Sequence, residues 1–421
     1  MIKKIYFDNF KCYEKAELSI ENITTLIGTN SSGKTNAIEG IMVLSEIVSG
    51  KDIITILDGT RNGGSVIRGG SSGCARFFSG SFTLGCLVQY NNKTDLLYEI
   101  SINSDDKVNV KKELLTEISG NSKKRIFITK ENIQDTENIT VFCNSNKDGI
   151  IPEIICNCSF SVISQISAKI PLETDYGKKT ADYANCIIKN LKKILFLSPE
   201  FTQMRGYSQI NDNILKVNAS NISSVLYKLC KNDINKKILL DITKKLPENE
   251  ISGISFAEGP LNDVIFFIDE IYGGREEKTD VSRLSDGTLS CLAIIAAVLS
   301  EEEEGMVVIE EIDNGLHPGR AKMLIQQISG IARRRKVDVL FTTHNPVLLN
   351  TLSKDDLYGV NIVYRENNNG NGKIITLVNI KDMPMLLAGG KLGDVFANGM
   401  ILDFIKKEHG TNDYSWLEVQ E

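Results

Sequence analysis

Histidine is scarce in this chain of 421 residues, which has only His317, His344 and His409. Cys156-Asn157-Cys158 has no second Cys or His pair at ligand spacing, so a structural zinc site is not expected. No run of eighteen apolar residues occurs, which argues against a membrane-spanning helix. The opening Met-Ile-Lys-Lys-Ile-Tyr-Phe reads directly as a strand and lacks the apolar core of a signal peptide. There are nine cysteines, an odd number, so at least one stays unpaired in any intramolecular scheme; this fits a reducing, cytoplasmic setting. An excess of basic charge is also missing. The formal net charge is −6, from 48 basic and 54 acidic residues, which is not the footprint of a dedicated nucleic-acid binder. The basic runs Arg333 to Lys336 and Lys189, Lys192 and Lys193 read as solvated helix ends, and Glu301 to Glu304 as a solvated turn. No internal repeat and no long low-complexity linker divides the chain.

Residues 28–35 read Gly-Thr-Asn-Ser-Ser-Gly-Lys-Thr, a complete P-loop. Ile23 to Ile27 before it is β-branched and apolar, as expected of a buried strand. Asn36 to Leu44 after it has apolar residues at helical spacing. Such a loop curls so that successive backbone N–H groups face a phosphate, and the helix N-terminus adds its own unpaired donors. Gly28, Asn30, Ser31, Ser32, Gly33, Lys34, Thr35 and Asn36 form the expected nucleotide-binding set. Lys34 would reach the β- and γ-phosphates, and the Thr35 hydroxyl would ligate Mg²⁺.

The C-terminal half supplies the complement. Met306 to Ile309 is an apolar strand ending in Glu310 and Glu311. In a parallel sheet ligands gather at the carboxyl ends of the strands, which would bring both acids beside the phosphates. Glu310 is expected to hold Mg²⁺ through its water shell, and Glu311 to orient the attacking water. Thr342-Thr343-His344-Asn345-Pro346 follows another apolar strand, where a neutral His344 could hydrogen-bond a γ-phosphate oxygen. Leu284-Ser285-Asp286-Gly287-Thr288 precedes the apolar helix Leu289 to Leu299; taken alone it is an ordinary N-cap pattern.

The expected architecture is an α/β P-loop fold: a mostly parallel sheet flanked by helices, with an antiparallel lobe and a helical insert. Residues 75–145 alternate apolar and polar as an antiparallel meander would, with a strand already at Phe77 to Leu84. Ala181 to Ile194 and Asn221 to Leu246 read as helices, Pro346 to Leu352 starts another, and Asn367 to Gly372 reads as a hairpin tip. The expected division is 1–175, an N-terminal lobe with the P-loop and meander; 176–250, the insert; and 251–421, a C-terminal lobe with the remaining motifs.

In this order the motifs resemble the ABC-type ATPase heads of the SMC, RecF and OLD group. Asn9-Phe10-Lys11 is similar to that group's opening, and Leu284 to Thr288 to its variant of the ABC signature. Ile309-Glu310-Glu311-Ile312-Asp313-Asn314-Gly315-Leu316-His317-Pro318 resembles the Walker B and D-loop of AbiEii-like, RloA- and PtuA-like anti-phage defence ATPases. Ile312 stands where that pattern has Pro, and Asp313 where it has Glu. Ser198-Pro199-Glu200 and Met204-Arg205-Gly206-Tyr207 look like that subgroup's insert; Gln203 is a candidate Q-loop residue.

The resemblance implies ATP and Mg²⁺ as ligands, ATP hydrolysis, and heads that engage in a homodimer or higher oligomer. Ser285 and Gly287 of one protomer would then close over the ATP of another. No heptad stretch long enough for an SMC arm is present, and the residues after His344 are too few for a TOPRIM nuclease. A separately encoded effector, a nuclease or toxin, is therefore the expected partner, with no membrane involvement. A RecF- or SMC-like DNA clamp is the alternative, with DNA as the partner.

Overall fold

The computed structural model describes residues 1–60, 65, 67–105, 107–131, 137–144, 152–245, 250–366, 368–380, 383 and 390–409. Two sheets carry the architecture. The parallel one has the spatial order Ile194–Leu197, Met306–Ile309, Asp338–Thr343, Ile23–Ile27, Val360–Arg365 and Gly372–Thr376; only the last strand runs antiparallel. Every residue of Ile23–Ile27, Met306–Ile309 and Asp338–Thr343 is buried. Apart from Asp338 these segments are accordingly continuously apolar or β-branched rather than alternating, as expected of strands buried on both faces.

The second sheet has eight antiparallel strands. Tyr13–Ser19 is at one edge, then Ile2–Phe10, then Ser81–Asn91, Thr94–Asn103, Asn109–Ser119, Ser122–Thr129, Asn138–Cys143 and Glu153–Asn157 in chain order. Its inner face carries Ile5, Phe7, Leu84, Tyr98, Ile100 and Phe127, all nearly inaccessible. The P-loop helix Lys34–Val48 shares that core through Ala37, Ile41, Leu44 and Ile47. The helix after the signature, Asp286–Ser300, is buried all round from Leu289 to Leu299 and anchors the core beneath the acidic strand. A small sheet of Ser208–Gln209, Glu250–Glu258, Asp263–Tyr272 and Arg275–Asp280 completes this half. A mostly parallel sheet carrying the P-loop sequence and flanked by helices, joined to an antiparallel lobe, is the α/β arrangement expected from the chain.

Several local readings change. The 176–250 stretch is not wholly a helical insert. The helix Asp175–Lys192 packs on the antiparallel sheet, and Ile194–Leu197 is an edge strand of the parallel sheet, paired with Met306–Ile309. Four consecutive apolar residues cannot be told from a helix end by periodicity alone. Phe77 does not open a strand: Arg76–Phe78 is a 3-10 turn and the strand starts at Ser81. Pro346–Thr351 is 3-10 rather than α. Of the expected hairpin tip, Asn367 lies outside the described residues, as do Leu246 and Gly389. All nine cysteines are free thiols, with Cys156 and Cys158 packed in the core. The acidic run 301–304 is a solvated turn as expected, with Glu302, Glu303 and Glu304 exposed and Glu301 half-buried, and it meets the basic runs. Lys193 pairs with Glu302 at 3.0 Å, Lys336 with Glu303, and Arg335 donates to the Glu301 carbonyl at 3.0 Å.

Glu113 is a buried carboxylate in the antiparallel sheet. It accepts from the backbone N–H groups of Val162 at 2.6 Å and Ile163 at 2.7 Å, and from the Tyr98 hydroxyl at 3.0 Å. It thereby satisfies the first donors of the helix Val162–Lys169 from a distant strand. Burial pushes its carboxyl up to about 7 against those three donors. A carboxyl raised on folding contributes stability that is present below its unfolded value of about 4.3 and lost as pH rises through 7. Urea unfolding should therefore show wild type losing on the order of 2–3 kcal/mol relative to Glu113→Gln between pH 5 and pH 8. Stability curves that run parallel across that range would contradict the assignment.

Candidate nucleotide site

The P-loop leaves the buried strand Ile23–Ile27 and closes on the helix that starts at Lys34. Two glycines are required by contact. A Cβ on Gly28 would lie 2.2 Å from the Val363 carbonyl oxygen; Gly33 has φ +126° and a Cβ there would lie 2.8 Å from Cys12 Sγ. The loop is held from outside by Tyr13, whose hydroxyl donates to the Gly33 carbonyl at 2.9 Å, and by Arg365, whose Nε donates to the Ser31 carbonyl at 2.9 Å. Ser31 has φ +64°, an uncommon conformation for a residue with a side chain. Ser32 Oγ is buried and has no hydrogen-bond partner, as expected of a group that waits for an anionic ligand. Lys34 donates to the carbonyls of Gly28 at 2.7 Å and Thr29 at 3.0 Å. Burial lowers its pKa, and the nearby carboxylates of Glu311, Glu310 and Asp313 oppose that shift.

The acidic strand arrives as the motif requires. Thr35 Oγ1 donates to Glu310 Oε1 at 2.7 Å. The hydroxyl and carboxylate expected to share a divalent cation are thus already in contact, and both are hard oxygen donors suited to Mg²⁺. Glu311 follows with φ +50°, a left-handed conformation that costs on the order of 1–3 kcal/mol for a residue with a side chain. Its N–H donates to Thr342 Oγ1 at 2.8 Å, its carbonyl accepts from Asn314 N–H at 2.8 Å, and Ile312 N–H donates to the Thr342 carbonyl at 3.1 Å. The turn turns the exposed Glu311 carboxylate away from the sheet core and into the site.

A hollow of about 410 Å³ results. Asn30, Ser31, Ser32, Gly33, Lys34, Thr35, Asn36, Glu310 and Glu311 line it, so most of the expected set converges. Lys11, Glu39, Arg68, Thr342 and Arg365 line it too and were not anticipated as site residues. Arg365 ends a parallel strand, Val360–Arg365, at the same edge as the P-loop, and that position is the signal that could have found it. Lys11 forms an ion pair with Glu39, and the Arg68 N–H donates to the same carboxylate at 3.2 Å.

The remaining expected residues lie elsewhere. His344 follows the strand Asp338–Thr343 at the correct edge but is exposed and does not line the hollow. Gln203 is exposed and hydrogen-bonds Glu200 and Asn218. Ser285 and Gly287 are also outside the hollow of their own chain. Ser285 caps the helix Asp286–Ser300, accepting from Thr288 N–H at 3.2 Å, and is otherwise exposed. Gly287 is buried under the D-loop; a Cβ there would lie 3.0 Å from both the Gly315 carbonyl and an Arg320 guanidinium nitrogen. Arg205 clamps this signature loop, donating to the Leu284 carbonyl at 2.8 Å, to the Ser282 carbonyl at 3.2 Å and to Asp286 at 2.7 Å.

Comparison with known proteins bears on the second half of this arrangement. The family described as "AAA domain, putative AbiEii toxin, Type IV TA system" matches residues 200–350, the stretch that holds Arg205, the signature loop, the acidic strand and the D-loop. No curated protein matches the chain. Among solved structures, the SmcHead bound to the C-winged helix domain of ScpA is similar with a TM-score of 0.49 and 13% identity, over 89% of this chain and 97% of that one. The SMC head domain from Thermotoga maritima has a TM-score of 0.41 and 14% identity, over 89% and 98%. The Smc head domain of Pyrococcus furiosus, with an extended coiled coil and bound to the C-terminal domain of ScpA, has a TM-score of 0.44 and 13% identity, over 92% and 98%.

Proposed function

We propose that this chain binds ATP with Mg²⁺ and hydrolyses it at a site completed by a second copy of itself. The observation that carries the reading is the Thr35–Glu310 contact at 2.7 Å inside a hollow walled by the P-loop. Lys34 and the P-loop N–H groups would take the β- and γ-phosphates, and the unpartnered Ser32 hydroxyl would meet a phosphate oxygen. Thr35 and Glu310 are the residues that would hold Mg²⁺; when bound, it neutralises charge that builds up on the phosphates. Glu311 would accept the proton of the attacking water. His344, exposed after the strand Asp338–Thr343, would hydrogen-bond the γ-phosphate once the nucleotide is bound. The exposed Ser285 would act on the nucleotide of the partner copy, with Gly287 the close-packed residue beneath it, which would account for their place outside the hollow of their own chain.

The output we propose is control of a separately encoded effector, a nuclease or toxin, in anti-phage defence. Its support is the AbiEii-type description of the family matched at 200–350. The effector would dock on the surface of the 180–245 region or on the segment from Gly389 onward. The ion pairing of Lys193, Arg333 and Lys336 with acids of the same chain weighs against a DNA-facing basic patch at those residues. Co-purification from the native host is the relevant measurement. A nuclease or toxin that travels with the chain supports the reading, and a chain that purifies alone contradicts it.

The chemistry is tested by two variants measured side by side. Lys34→Ala should show no ATP binding by calorimetry where wild type saturates, because it removes the cation that offsets phosphate charge. Glu311→Gln should bind ATP as wild type does and hydrolyse it on the order of 100-fold more slowly or worse, because an amide cannot take the water's proton. Wild-type hydrolysis by Glu311→Gln, with loss in Glu310→Gln alone, would exchange the two roles.

A further inference from the structure

A second hollow of about 430 Å³ adjoins the first and shares Lys11, Asn36 and Arg365 with it. Its other walls are the 72–77 segment and the Asn369–Gly370 hairpin tip. The most conspicuous side chain is Phe77. It is 76% exposed, and its backbone has φ +48°, a genuine outlier for an aromatic residue. A bulky apolar group held in a strained conformation at a hollow's mouth needs a reason that packing does not provide.

The ring is fixed on one face only. The Arg76 guanidinium lies over it, 3.9 Å from the centroid. Arg76 is itself buried, donates to the Cys12 carbonyl at 3.4 Å and the Asn369 carbonyl at 3.4 Å, and is bonded to the Asn371 side chain. The segment is tied to the end of the first strand, Ile2–Phe10, as well: Lys11 N–H donates to the Cys74 carbonyl at 2.7 Å, and Phe10 bridges Ala75. Phe77 is thus an exposed aromatic ring backed on one face by Arg76, next to the P-loop hollow, with the carboxamide of Asn36 in the same wall.

From this geometry we infer that the second hollow is the nucleobase subsite, in which the purine of ATP stacks on the free face of Phe77. The inference rests on the P-loop hollow taking the triphosphate. A nucleotide anchored there must place its base and ribose in an adjoining compartment, and this one offers a flat apolar surface with amide groups beside it. Stacking on an aromatic plate that is already immobile costs little ordering entropy. The contact with buried Arg76 and the ties of the 72–77 segment hold the ring in place before the ligand arrives.

The test compares ATP with inorganic tripolyphosphate, which has the phosphates and no base, both in Mg²⁺ and by calorimetry. Phe77→Ala should bind ATP on the order of tenfold more weakly or worse, the scale of one base–aromatic stack, and should bind tripolyphosphate as wild type does. Equal ATP affinity in Phe77→Ala would overturn the subsite, and so would an equal loss for both ligands, since that would place Phe77 in the fold or the phosphate cradle. Phe77→Trp keeps the plate and adds a fluorophore to a chain whose only tryptophan is Trp416. Its emission should change with ATP and not with tripolyphosphate; no ATP-specific change relative to wild type would also overturn the subsite. Lys34→Ala reads the underlying premise separately: if it binds tripolyphosphate as wild type does, the phosphate assignment fails whatever Phe77 does.

Discussion

The hydroxyl of Thr35 touches the carboxylate of Glu310 across 275 residues of chain, and the rest of the site depends on that contact. It exists because the parallel sheet places Asp338–Thr343 between the P-loop strand and the acidic strand. Thr342 of that middle strand then holds both sides in register. Its hydroxyl receives the Glu311 N–H, its carbonyl receives the Ile312 N–H, and its neighbour Thr343 pairs with Ile27 at the foot of the P-loop. Strand order therefore does the work that a local motif cannot. Three segments far apart in sequence end at one edge, and their side chains meet in one hollow.

Charge balance at that edge explains the resting arrangement. Lys34 is drawn out of water, which disfavours its charge, while Glu310, Glu311 and Asp313 favour it. Without phosphate oxygens its ammonium is satisfied by two loop carbonyls. Lys11, Arg68 and Arg365 join Lys34 around the hollow, against the carboxylates of Glu39, Glu310 and Glu311, so cationic and anionic groups both face a site suited to a phosphate chain with a divalent cation. The left-handed turn at Glu311 keeps this carboxylate directed into the hollow, and the hydrogen bonds to Thr342 and Asn314 hold the strained residue in place. The strain is thus borne by the same strand order that forms the site.

Much of this was legible from the chain. The P-loop motif, the acidic strand and their shared edge follow from short contiguous patterns whose chemistry is local. The parallel strands were readable because burial on both faces leaves uninterrupted apolar runs. Other elements depend on partners that periodicity does not see. Ile194 reads as the end of a helix until Ile194–Leu197 is seen paired with Met306–Ile309. Phe77 reads as a strand residue until Arg76 is seen buried beneath it. Arg205 lies in a stretch, Met204 to Tyr207, that stood out only by resemblance, and its grip on the 282–286 loop comes from tertiary contact alone. Ser285 shows the limit from the other side. Its capping bond is local and could be foreseen, whereas its distance from its own P-loop hollow is visible only in the fold.

That separation underlies the central proposal, a working site shared by two copies. The most direct measurement mixes two inactive variants, Lys34→Ala and Ser285→Tyr, and follows phosphate release. A mixed dimer contains one pairing of an intact P-loop with an intact signature. The account predicts that the mixture regains a clear part of the wild-type rate while each variant alone stays inactive. A mixture as inactive as its components, under conditions where the copies are shown to exchange, would contradict it.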